Sequence, residues 1–135
     1  MSSDPLVTAW IQLQHVKPKG AAYEELFWAF ESVDILTRTS PQDAMQFIVA
    51  VVSSTESEWV LSNLAAGPIE DLLMRYPEAT VDALETECAH NPRLAQVLHG
   101  VWLSGLPRAL SDRIEQIRSR APSPPNNRIE RPRER

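Results

Sequence analysis

Prolines cut this chain into short segments, and each segment after a proline carries apolar residues at helical spacing. Pro5, Pro41, Pro68, Pro77 and Pro92 each precede such a run. Proline suits the first turn of a helix, where its missing N–H has no partner to lose and its fixed φ is already helical. In a helix interior it disrupts the ladder. No stretch shows sustained alternation of apolar and polar residues, and no Asn-Gly or Asp-Gly pair marks a hairpin. The pattern predicts an all-α fold: a compact bundle of about seven to eight short helices in antiparallel pairs. Pro41 and Pro77 lie 36 residues apart and each opens a helix followed by a second, so a short solenoid-like stack is the variant of that fold.

Along the chain, Asp4-Pro5 reads as a cap and first-turn proline, with Leu6, Trp10 and Leu13 on one face. Residues 21–38 read as a long core helix presenting Tyr23, Leu26, Phe27, Phe30, Val33 and Leu36, with Trp28 off that stripe. Ser40-Pro41 restarts the chain, and Ala44, Phe47, Ile48, Val51 and Val52 give the most apolar helix. Thr55-Glu56-Ser57-Glu58 matches a capping box, with Thr55 at the cap and Glu58 reaching back to it. The helix it opens turns Val60, Leu61 and Leu64 inward and is expected to stop at Gly67-Pro68, all four glycines reading as helix ends or near-ends. A short helix then runs over 69–76, with Glu70 and Asp71 in its first turn, where the dipole favours negative charge. Val81, Leu84 and Cys88 mark the next helix, Leu94, Val97, Leu98, Val101 and Trp102 another, and Leu110, Ile114 and Ile117 a last one over 106–120. From residue 121, APSPPNNRIERPRER has four prolines and almost no apolar content, so a disordered Pro/Arg-rich tail follows a helical domain of residues 1–120.

Charge narrows the function. The chain carries a net −5, of which residues 121–135 contribute +2, leaving −7 on residues 1–120. Residues 56–87 hold eight acidic side chains and one basic one, Arg75. Such a body repels phosphate backbones, so the folded domain is not expected to bind nucleic acid. The last helix, with Arg108, Arg113, Arg118 and Arg120, comes nearest to a recognition helix, and the tail offers Arg128, Arg131, Arg133 and Arg135. The first residues lack the architecture of a signal peptide, the longest apolar run is too short to cross a bilayer, and a lone Cys88 fits a reducing compartment. The cytoplasm is the expected location.

No catalytic motif is present: no glycine-rich phosphate loop and no paired metal-binding histidines on a helix. Cys88, His90 and His99 match no zinc spacing, and Cys88 falls on an apolar stripe where a lone cysteine packs as a small hydrophobe. No cofactor or metal is expected, and the chain reads as a non-enzyme. The residues that stand out are Glu56, Glu58, Trp59, Glu70 and Asp71: an aromatic side chain within an acidic rim, suited to anchor a protein partner. Core packing is the competing reading of Trp59, and close helix approach that of the Ala65-Ala66-Gly67-Pro68 junction. These residues point to a non-catalytic protein-binding module, most concretely an immunity protein that neutralises a basic toxin through an acidic helical face. The alternatives are a structural or regulatory interaction domain with no toxin partner, and a metal-dependent enzyme using Glu70 and Asp71.

The segment from Asn63 to Trp102 resembles a small bacterial domain family of uncharacterised function. The resemblance rests on LAAGPIEDLL (64–73), ETECAHNP (85–92) and L-x-G-V-W (98–102), with SPQDAMQFI (40–48) upstream. It implies a helical fold and a bacterial origin, and no site residues.

Overall fold

Half of the helices begin at a proline. The computed structural model describes residues 4–121, and among these there is no strand. The elements are α1 (Pro5–Leu13), α2 (Ala21–Thr39), α3 (Pro41–Ser54), α4 (Glu58–Leu64), α5 (Glu70–Arg75), α6 (Pro77–Cys88), α7 (Pro92–Val97) and α8 (Arg108–Arg118). A π turn, Ala65–Ile69, joins α4 to α5, and a 3-10 turn, Leu98–Gly100, follows α7. Side-chain caps hold several starts: Asp4 accepts from the Leu6 N–H and Asn91 from the Leu94 N–H. Each satisfies a donor that the first turn leaves without an intrahelical partner.

The helices pack α1 on α2, α2 on α3, α5 on α6 and α6 on α8, with α2 also reaching α5 and α3 reaching α7. One continuous core results, running from Val7 and Trp10 through Ile48, Val51, Leu64, Ile69 and Leu72 to Leu94, Leu98, Ile114 and Ile117. Contacts between elements distant in sequence make this a bundle, since a solenoid stack would touch only its neighbours. Trp10 meets Phe47 edge-on at 5.7 Å, locking α1 to α3. Arg93 closes the C-terminal end of α3, donating to the Val52 and Thr55 carbonyls at 2.8 Å each. Buried Thr80 donates to the Leu72 carbonyl, so its hydroxyl is satisfied.

Several expectations are corrected. Gly67-Pro68 does not stop a helix. Residues 58–75 form one continuous rod, in which the Glu70 N–H reaches back five residues to the Ala65 carbonyl. The wider π turn relieves the collision that a proline ring makes with the carbonyl four residues before it, and lets Pro68 sit buried inside the helix. The cap of α4 is Ser57, whose Oγ accepts from the Val60 N–H; Thr55, two residues before it, accepts through its Oγ1 from the Ser57 N–H. Trp102 stands outside α7 and its 3-10 turn, just after Val101, whose backbone is extended. Ala121, expected as the first tail residue, is buried, and its carbonyl accepts from His99 Nε2. The rest of the expected tail lies outside the described residues.

The largest departure concerns α2. Its buried residues are Ala29, Val33 and Thr37, with Leu26 and Leu36 partly covered. Phe30 is 50% exposed, and Trp28 and Ile35 are 45% and 50% exposed. Helix α2 is apolar on more than one side, and its neighbours cover only one of them.

Candidate functional site

Gln14 at the C-terminal cap of α1 ties two elements together. Its carbonyl is among those a helix end leaves without an N–H donor, and the Trp59 indole Nε1 donates to it at 2.7 Å. Its side-chain amide donates to the Trp10 carbonyl at 2.9 Å and accepts from Asn63 Nδ2 at 3.0 Å. Trp59, Asn63 and Gly67 are four residues apart along the rod, so they share one edge of it. The indole edge is therefore fixed while the ring remains 52% exposed. A tryptophan held in one orientation loses little rotamer freedom when a partner covers it.

Beyond Asn63 this edge borders a shallow cleft of about 140 Å³, lined by Trp10 and Gln14 of the α1 end, Phe30, Val33 and Asp34 of α2, and Asn63, Gly67, Pro68 and Asp71 of the rod. The π turn shapes its floor. A Cβ added to Gly67 would meet nothing within 4 Å, so the glycine leaves open space there and no positive φ requires it. Asp34 Oδ2 is held by Arg38 Nε at 3.0 Å on the same helix.

Of the residues singled out from sequence, Trp59 and Asp71 lie along this edge, both exposed. Glu56 is exposed and Glu58 half-buried, both at the start of the rod. Glu70 is elsewhere. Only 6% exposed, it turns away from solvent and its Oε2 accepts from the Trp102 N–H at 2.8 Å. The expected exposed pair of Glu70 and Asp71 is thereby corrected: adjacent residues on a helix point about 100° apart, so one carboxylate faces the core while the other faces water. Glu70 pins the extended segment after the 3-10 turn against the rod. Ala65 and Gly100 make that approach close, since a Cβ on Gly100 would lie 3.4 Å from the Ala65 Cβ. Of the junction's small residues, Ala65 thus serves close contact, while Gly67 borders the cleft.

The acidic run from 56 to 87 is also less uniform than its composition suggests. Arg113 of α8 donates to Asp82 and Glu85 of α6 at 2.6–2.9 Å. That hydrogen bond holds the Glu85 carboxyl below its ordinary value and raises the guanidinium. Among the described residues, no three or more His, Cys, Asp or Glu side chains come together to hold a metal. Burial pushes the Cys88 thiol up to about 12, a protonated and unreactive state at neutral pH. No described helix is long and apolar enough to cross a membrane.

Residues 16–122 match the model of a family of unknown function (DUF6869). The chain belongs to that family. The matched span includes α2 through α8 and excludes α1, although α1 supplies Trp10 to the core and Gln14 to the candidate site. No curated protein and no solved structure matches the chain.

Sequence reasoning missed Gln14, Phe30, Asp34 and Asn63. A signal for one existed: Asn63 follows Trp59 by four residues. Nothing local announces that the end of α1 comes to rest against both.

Proposed function

We propose that this chain is a non-catalytic protein-binding module, and in its most concrete form a bacterial, cytoplasmic immunity protein that neutralises a basic toxin. The observation that carries the reading is Trp59: an indole fixed at one edge by Gln14 and half open to solvent, with Glu56 and Glu58 next to it in sequence and Asp71 lining the cleft further along the same edge of the rod. Buried aromatic anchors ringed by polar residues supply most of the energy in protein interfaces. The charge of −7 on residues 1–120 favours a cationic partner and speeds its encounter. The family match supports the helical domain and carries no activity. A metal-dependent enzyme built on Glu70 and Asp71 draws no support from a Glu70 that is buried and accepts a backbone N–H.

The test is co-expression with the product of the adjacent gene, followed by calorimetry on the purified pair. Growth rescue and a stable complex are expected. Trp59→Ala, or Glu56→Lys with Glu58→Lys and Asp71→Lys, should weaken that complex by at least about tenfold, the effect of an interface anchor. A toxic neighbour that is neither bound nor neutralised would defeat the immunity reading. Unchanged affinity in both variants would remove this face from the interface.

A further inference from the structure

The outer side of α2 carries a seam that the fold leaves open. Glu24, Trp28, Glu31 and Ile35 follow one another at intervals of four, three and four, the spacing at which one helix meets another in a coiled coil. All four side chains are exposed, and the seam extends roughly 17 Å along the helix axis. Further round the helix, Phe27 stacks on Phe30 at 5.2 Å and meets Tyr23 at a tilt at 5.6 Å, so an aromatic cluster leads from the flank of the seam to Phe30 at the cleft. Among the described residues no cation pairs with Glu24 or Glu31. Trp28 and Ile35, seven residues apart on one face of the helix and each about half exposed, are large apolar side chains that the fold leaves in water, as at interaction sites.

We infer that this seam receives a helix of a cationic protein partner, with apolar residues against Trp28 and Ile35 and Lys or Arg at a seven-residue interval against Glu24 and Glu31. The inference deepens the protein-binding reading above and rests on it. Charge decides between this occupant and a second copy of the chain. A parallel copy sets Glu24 against Glu24 and Glu31 against Glu31. Arg38 is the only cation in α2, and Asp34 already holds it. In an antiparallel copy it reaches Glu24 of the other chain only in the register that sets Glu31 against Glu31. Other antiparallel registers set a glutamate against a glutamate, Trp28, Ile35 or a neutral residue, or match Arg38 with Glu31 only by sliding Glu24 and Trp28 out of the contact. A second copy therefore either buries carboxylates without a counter-charge, which is costly, or gives up the Trp28 contact. A partner with basic residues at those positions removes that cost and packs the same apolar area.

The experiment uses the full chain and three synthetic helical peptides of three heptads. One has Leu at the first core position and Arg at the second, one has Glu in place of Arg, and one is a scramble of the first. Anisotropy of labelled peptide reads affinity, and sedimentation velocity reads self-association. The Arg peptide should bind at least about tenfold more tightly than the other two. Trp28→Ala should weaken it by a similar factor, and the pair Glu24→Arg and Glu31→Arg should reverse the preference in favour of the Glu peptide. None of the three is a core residue, so melting curves should show every variant still folded at the assay temperature. Equal binding of the Arg peptide and its scramble, or no binding at all, overturns the inference. Self-association abolished by Trp28→Ala overturns it in favour of a second copy. The result is separable from the Trp59 reading. Loss of the natural partner on Trp59→Ala with full retention on Trp28→Ala defeats the seam alone, and the reverse pattern defeats the Trp59 anchor alone.

Discussion

Along residues 58–75, the side chains of Val60, Leu64, Ala65, Ile69, Leu72 and Leu73 are all sealed from solvent, and even Glu70 is drawn in. Along α2, by contrast, Trp28, Phe30 and Ile35 stand about half in water while Ala29 and Thr37 occupy the contact with the core. Both segments are rich in apolar residues. The rod is wrapped by elements on several sides: α2 and α3 against its π turn, the 3-10 turn against the same segment, and α6 against α5. Helix α2 has α1, α3 and the rod on one side. The difference teaches that apolar content on a helix specifies a core only where neighbours exist to cover it, and elsewhere provides a surface for another molecule.

The largest contrast should come from truncating one residue in each region. Leu64→Ala, at a fully buried site, should cost about 2–5 kcal/mol in chemical denaturation. Trp28→Ala, at a site 45% exposed, should cost clearly less, about 1 kcal/mol. A large loss from Trp28→Ala would mean that α2 is covered after all. Next in size, Glu70→Ala leaves the Trp102 N–H without its carboxylate acceptor and should cost about 1–3 kcal/mol. Glu70→Gln keeps an oxygen that can accept and should recover much of that loss. Equal losses for the two would show that charge at position 70, rather than the hydrogen bond, matters to the fold.

Gly67→Ala should move stability the other way. The position is helical, and a new Cβ meets nothing, so alanine's better helix propensity should add up to about 1 kcal/mol. The same methyl projects into the cleft. A variant that melts higher yet binds partner less tightly would separate the role of the cleft from that of the rod. The smallest effect is on pH. Hydrogen bonding to Arg113 holds the Glu85 carboxyl below 4.5, so its contribution to stability is present above that value and is lost as pH falls through the lowered folded value. Stability curves should therefore steepen below pH 4.5, and Arg113→Ala should flatten that part of the curve. An unchanged slope would make the α6–α8 pairing irrelevant to acid unfolding.

Much of the fold was legible because its signals are local. Ala44, Phe47, Ile48, Val51 and Val52 are read as one face from spacing alone, and all are buried. The same holds for Leu110, Ile114 and Ile117 in α8, and for the prolines that open α1, α3, α6 and α7. The site was less legible. Trp59 and Asp71 were singled out by residue type and charge, but Gln14 and Asn63 join their edge of the rod only when α1 packs beside it.

Turn chemistry marked Gly67-Pro68 as an end, since proline lacks the N–H an α-helix needs. Whether the chain stops or widens into a π turn depends on what the rod gains by continuing, and burial of Leu64, Ile69 and Leu72 along one unbroken rod favours continuation. Sequence by itself therefore determined that this protein is helical, where most of its helices begin and which residues most of them turn inward. Caps, prolines and i, i+4 neighbours act within a single turn. Tertiary structure alone decided that residues 58–75 are one rod, that Glu70 is a buried clasp and that α2 faces outward. Those outcomes depend on which surfaces meet across the chain, and no local pattern encodes the meeting.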